Sequence, residues 1–216
     1  MPDWPCRFID ALPIFHEQTS LMSFDAHYVY HSGWAARVLR EISPEQHIDI
    51  SSSIVFSAIM SAFLNIKHYD YRTPILNLDG LECGNQDLLS LRFENSSINS
   101  LSCMHVIEHV GLGRYGDPLN PQGDREAARE LMRVLAPGGH LIIVVPVAEH
   151  AYIRFNGHRI YDFNRVRNMF EVLELKEFAF LNDTKNNKFT RHASIDDIVG
   201  SKYGCGCFLF RMPLKN

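Results

Sequence analysis

DREAARELMRVLAPGGHLIIVVPV, residues 124–147, decides how the rest of the chain is read. Asp124 is a helix-opening residue, and Ala127, Leu131 and Leu135 follow at helical spacing. Pro137-Gly138-Gly139 is expected to stop that helix. HLIIVVPV (140–147) is then a continuous apolar run, the pattern of a strand buried on both faces. The same alternation extends outward in both directions. HSGWAARVLRE (31–41) predicts a short helix with Trp34, Val38 and Leu39 inward. HIDIS (47–51) predicts a strand, and SSIVFSAIMSAFLNI (52–66) a buried helix. Further strands are expected at IKHYDY (66–71), LECGNQ (81–86) and INSLSCMHVI (98–107). After residue 147 the sequence predicts a basic loop over 154–167, a short helix near 164–171, and strands at 172–181 and 205–212. Strands alternating with helices specify an α/β fold: an open, mainly parallel sheet with helices on both faces.

Pro2, Pro5 and Pro13 break up residues 1–30, which read as an N-terminal extension to one domain over 31–216. Twenty-five acidic against 21 basic residues give a net charge of −4, without the basic surplus of a duplex-DNA binder, so no nucleic acid partner is expected. Of five cysteines, Cys205 and Cys207 form a C-x-C with no partner ligand nearby in sequence, and no C-x-x-C exists. Free thiols in a reducing cytoplasm, and no metal, are the expectation. Met1-Pro2-Asp3-Trp4 does not open like a signal peptide, and no apolar stretch approaches a membrane span.

Ligands of open α/β sheets sit beyond the carboxyl ends of the strands. That rule selects Ser51, Ser52 and Ser53 in the turn after the first strand, Asp70 near a strand end for ribose hydroxyls, and Asp87 for an adenine amino group or a turn cap. Two motif matches fail on context. GLGRYG (111–116) fits G-x-G-x-x-G, but Asp117-Pro118 and Pro121 prevent the helix that a dinucleotide site needs. HVIEH (105–109) fits H-x-x-E-H, but Gly111 and Gly113 cut short the helix a zinc hydrolase requires. Of eleven histidines, His27, His68 and His192 read as surface or packing residues, while His109 and His158 fall in loops that border the cleft.

GNQDLLSLRFENSSINSLSCMHVIEHVG (84–111) and ELMRVLAPGGHLIIVVPV (130–147) resemble the second half of a class I S-adenosylmethionine-dependent methyltransferase. HIDISSSI (47–54), IEHVGLGRYGDPLNPQG (107–123), FNGHRIYDF (155–163) and YGCGCFLFR (203–211) more narrowly resemble domain-of-unknown-function family 268, whose members occur beside surface-polysaccharide genes. The resemblance implies a Rossmann-like methyltransferase fold with S-adenosylmethionine as cofactor. By position it puts Asp49, Ser51, Ser52, Ser53, Asp70, Asp87, Met104 and His105 in the donor pocket. Ser51–Ser53 replaces the glycine-rich turn of that superfamily without a single glycine.

Methyl transfer to a hydroxyl requires proton removal near neutral pH, which suits a histidine. His109, with His158 and Asp117, is therefore the expected catalytic group. Arg114, Tyr115 and Arg159 are expected to hold the acceptor. The expected activity is O-methylation of a sugar or glycan precursor in the cytoplasm, with a small-molecule or glycan acceptor, no membrane span, and room for a homodimer. The alternatives are a methyltransferase-fold binding or assembly protein without catalysis and, more remotely, a zinc hydrolase.

Overall fold

Alternation along one strand organises the molecule. In β5 (Leu135–Val147), Leu141, Ile143, Val145 and Val147 join one apolar cluster, while Ile142 and Val144 join another. A period of two with both faces apolar means that both faces are covered. The structure, a computed structural model, describes residues 7–14, 20, 22–182 and 187–214; Pro2, Pro5 and Cys6 lie outside the described residues.

The sheet has eight strands. Their order is β3 (Leu81–Asn85), β2 (Asn65–Asp70), β1 (Gln46–Asp49), β4 (Ile98–Met104), β5, β10 (Gly204–Arg211), β8 (Glu174–Asn182) and β9 (Lys188–Thr190). From β3 to β5 every pairing is parallel; β10 runs antiparallel to β5 and β8, and β9 antiparallel to β8. The strand order reverses between β1 and β4, and the crevice at such a switch point is where α/β sheets bind ligands.

On one face, α1 (Ala26–Ile42) buries Trp34, Ala35, Val38 and Leu39 against Met104, Ile142 and Val144. Each large aliphatic side chain so buried contributes about 1.5–3 kcal/mol. Trp34 Nε1 also donates to Glu177 Oε1 on β8 at 2.9 Å, and Arg191 bridges Glu177 and Glu41 at 2.6 and 3.0 Å, tying the helix to the sheet. On the other face, α3 (Gly123–Val134) packs Ala127, Ala128, Leu131 and Val134 into the larger cluster together with Val166 of α4 (Phe163–Met169).

The structure departs from the sequence reading in several places. α1 starts at Ala26, capped by the Asp25 carboxylate, so the expected boundary at residue 30 falls inside the first helix. The expected long buried helix is the seven-residue α2 (Ile54–Met60), in which Phe56 and Ser57 are buried but Val55 and Ile59 are exposed. An apolar run on all sides selects no face, and β2 claims the chain again from Asn65. Pro137-Gly138-Gly139 does not end α3, which stops at Val134. The triplet lies inside β5, at a bulge where the register with β4 shifts. A Cβ at Gly139 would stand 2.8 Å from the Ala136 carbonyl and 2.9 Å from that of Ile98, so the bulge admits only glycine there. The expected loop over 154–167 contains a hairpin, β6 (Tyr152–Arg154) with β7 (His158–Ile160). No helix among the described residues is long and apolar enough to cross a membrane.

Candidate functional site

The turn after β1 is built on a buried carboxylate. Asp49 is wholly buried and accepts hydrogen bonds from the hydroxyls of Ser51, Ser57 and Ser102, with His68 Nδ1 at 3.2 Å. Ser102 in turn accepts from His47 Nε2 at 2.8 Å, and His47 Nδ1 meets Ser100 Oγ at 2.8 Å. Burial holds His47 neutral, its pKa pushed down to about 4. Asp49, expected at the donor, shapes the turn from beneath, its carboxylate oxygens engaged by the three serine hydroxyls and His68. Above it, Ser51 Oγ accepts from Met104 N at 3.1 Å, and Ser52 N and Oγ both donate to the Met104 carbonyl. The small residues thus let the β1 turn lock onto the end of β4. Tyr28 of α1 closes the turn from outside, its hydroxyl 2.9 Å from Ser52 Oγ.

Asp70, partly buried at the end of β2, accepts from Arg72 N at 2.7 Å. Asp87 is exposed and accepts from Leu89 N at 2.9 Å, so it caps its own turn. Both lie beyond the carboxyl edge, as the strand-end rule requires.

The loop from Gly111 to Gly123 is rigidly made. A Cβ at Gly111, at φ +79°, would overlap the Asn120 carbonyl, which is why glycine is required there. Asp117 accepts from the backbone N–H groups of Gly111, Gly113 and Tyr115 at 2.7, 3.3 and 3.2 Å. Asp117, expected among the catalytic groups, thus staples the loop internally. Partial burial opposes the charge, but these three donors outweigh it and lower the Asp117 pKa. The loop is therefore held in full above about pH 4 and released as pH falls through that lowered value. Amide protection factors at Gly111 and Gly113 check this: Asp117→Asn is expected to lose at neutral pH the protection that the native protein loses only in acid.

Arg159, expected to hold the acceptor, braces the same loop. It is buried, donates to the Val110 carbonyl at 2.6 Å, and lies 3.6 Å from Asp124, so it clamps the loop. Arg114 and Tyr115 are exposed, and the guanidinium groups of Arg72 and Arg114 lie 5.3 and 5.1 Å from the Tyr115 ring centroid. That contact carries the loop across to the end of β2. A broad cleft of about 1420 Å³ between α3 and α4 shares only Arg159 with the expected site residues.

His109 and His158 come together, ring centroids 6.0 Å apart, with Tyr115 5.6 Å from His109. His109 Nδ1 donates to the Gly157 carbonyl at 2.7 Å, which fixes the tautomer and leaves Nε2 as the basic nitrogen. Burial, then the neighbouring His109, lowers the pKa of His158. The H-x-x-E-H match lacks its helix: Ile107–His109 is a single 3-10 turn, and His105 stands outside it at φ +55°.

His105 anchors a cluster that the sequence reading missed. Its ring stacks on those of His27 and Tyr28 at 5.6 and 5.5 Å and meets His31 edge-on at 5.1 Å. Its Nδ1 lies 2.9 Å from buried Glu108 and its Nε2 3.6 Å from Cys205 Sγ. Burial disfavours charge on His105, but the Cys205 thiol and the Glu108 carboxylate more than compensate and push its pKa up to about 10. Burial and the His105 charge push His27 down to about 4 and His31 to about 3. His27 and His31 stand one helical turn apart, an H-x-x-x-H spacing that could have flagged them; Cys205 gave no such signal.

Residues 90–194 match the family described as "Caenorhabditis protein of unknown function, DUF268". That segment includes β4, the Gly111–Gly123 loop, the hairpin and β8, but not the serine turn or Cys205. No curated protein matches the sequence. Among solved structures, the chain is similar to a putative sarcosine dimethylglycine methyltransferase from Galdieria sulphuraria, with 13% identity, 86% of each chain covered and a TM-score of 0.63. It is similar to the N-methyltransferase NodS of Bradyrhizobium japonicum WM9, solved with S-adenosyl-L-homocysteine, with 15% identity, 87% of this chain and 88% of that chain covered and a TM-score of 0.59. It is similar too to the [4+2]-cyclase SpnF, with 12% identity, 84% and 82% covered and a TM-score of 0.57. These likenesses show the fold: mixed α/β with the large, mostly parallel sheet of class I methyltransferases.

Proposed function

We propose that the DUF268 segment and the strands before it form an S-adenosylmethionine-dependent methyltransferase acting on an oxygen of a sugar or glycan precursor. The observation that carries this is His109: its Nδ1–H is fixed on Gly157, so Nε2 is available as a base at the carboxyl edge of a methyltransferase-fold sheet. In this reading the serine turn, Met104 and His105 border the donor, Asp70 takes the ribose hydroxyls and Asp87 the adenine edge. Asp49 acts through the turn and touches no ligand. Arg114 and Tyr115 form the acceptor side. A methyl sulfonium donor is already activated, so such a site works by aligning donor and acceptor and removing one proton.

Calorimetric titration with S-adenosylmethionine and S-adenosylhomocysteine tests the donor. Asp70→Ala is expected to weaken binding about ten- to a hundredfold, the worth of a charge-assisted hydrogen bond of about 1.5–3 kcal/mol. Absence of any signal from the native protein at millimolar ligand rejects the reading.

A second reading, a methyltransferase-fold binding protein without catalysis, is favoured by one specific contact. Tyr28 covers a glycine-free turn through its bond to Ser52. The likeness to a protein titled as a cyclase also fits a fold that carries more than one chemistry. Failure to bind either nucleoside would promote it.

A further inference from the structure

We propose that His27, His105 and Cys205 hold a zinc ion between the first turn of α1, the end of β4 and the start of β10. Among the described residues, one donor atom from each lies within 4.8 Å of the others. A nitrogen and a sulfur on one tetrahedral zinc, at about 2.0–2.1 and 2.3 Å from it, stand roughly 3.6 Å apart. His105 Nε2 and Cys205 Sγ are 3.6 Å apart.

The remaining polar atoms favour an ion over a simple thiol–imidazole hydrogen bond. Among the described residues, the buried His27 Nε2 has no hydrogen-bond partner. A buried polar atom left in this way costs stability unless something satisfies it. His31 is wholly buried beside the His105 ring. Bound at His27, His105 and Cys205, a four-coordinate zinc ion has one position left, for a water or, after a turn of its ring, for His31.

Glu108 completes the pattern. Metal-ligating histidines characteristically donate their other ring N–H to a carboxylate, and His105 Nδ1 is 2.9 Å from Glu108 Oε1. A Cys205 thiolate and the Glu108 carboxylate together balance the two charges of the ion, which a buried dication needs. The H-x-x-E-H match thus contributes one ligand and its outer carboxylate, while the other two ligands come from residues 78 positions before and 100 positions after His105. Cys207 Sγ, 3.9 Å from Cys205 Sγ, lies outside the ligand triangle and serves as the control.

The test uses the full chain, stripped with a chelator and titrated with cobalt(II) and then zinc in the absence of any methyl donor. Its outcome is thereby separate from that of the methyltransferase reading. One cobalt per chain is expected, with four-coordinate visible bands and a near-ultraviolet thiolate-to-cobalt band, and zinc should displace it. Cys205→Ser should lose the thiolate band and Cys207→Ser keep it. Glu108→Gln should keep the band but weaken zinc about 10–100-fold. If Cys205→Ser does not fold, His27→Ala, changed at a partly exposed position, carries the test, and should lose more than about a hundredfold in zinc affinity. No thiolate band in the native protein, a band unchanged in Cys205→Ser, or zinc affinity unchanged in His27→Ala overturns the proposal.

Discussion

Asp49→Ala is expected to lose at least about 3 kcal/mol of stability, and with it the turn that follows β1. Three serine hydroxyls and His68 converge on this one carboxylate, and none of them has water to turn to. Removing it leaves several buried donors unmet at once, which costs far more than the net worth of any single hydrogen bond. Asn keeps the volume but presents an amide N–H₂ to groups that donate, so Asp49→Asn should recover only part of the loss. Equilibrium denaturation in urea measures both. A loss under about 1 kcal/mol in the alanine variant would mean that the network does not hold the turn. The pH dependence has a defined sign. Burial opposes the charge of Asp49, but His68, His47 and Ser102 outweigh it and lower its pKa. Its contribution is then complete above the unfolded value near about 4 and declines as pH falls through the lower folded value.

His109→Ala is expected to cut methyl transfer about 10²–10⁴-fold while donor affinity stays within about threefold, the signature of a lost general base. The geometry makes the separation sharp. His109 is held by Gly157 on the hairpin, whereas the serine turn is held by Asp49 and Met104. The two supports share no hydrogen bond, so removing the imidazole should leave the turn in place. S-adenosylhomocysteine release across a panel of hydroxylated sugars reads the rate, and calorimetry reads the donor. A fall below about tenfold would take the base role from His109. Unfolding of His109→Ala at ordinary temperature would instead mark the ring as a packing element between Tyr115 and His158.

Local pattern was enough for the fold and for the general place of the site. A strand buried on both faces has to read as HLIIVVPV reads, and helices covering it have to repeat every three to four residues, so the α/β class followed from residues 124–147 and their neighbours. The strand-end rule then selected Ser51–Ser53, Asp70, Asp87 and the end of β4, all of which lie at the carboxyl edge. What those residues face was not legible. Asp49 near a strand end and Asp117 and Arg159 in loops look alike in sequence as unpaired charges, yet each is engaged by partners such as Ser102, Gly111 and Val110. Charge type predicts where a side chain is tolerated, not whether its hydrogen bonds are already spent. Pro137-Gly138-Gly139 likewise signals only a break in regular backbone, and pairing with β4 decided that the break is a strand bulge. The His27–His105–Cys205 cluster lay furthest from view, because its members are separated by 78 and 100 residues and no spacing rule spans such distances. Only the packing of α1 against the β4 and β10 ends brings those three donors within reach of one ion.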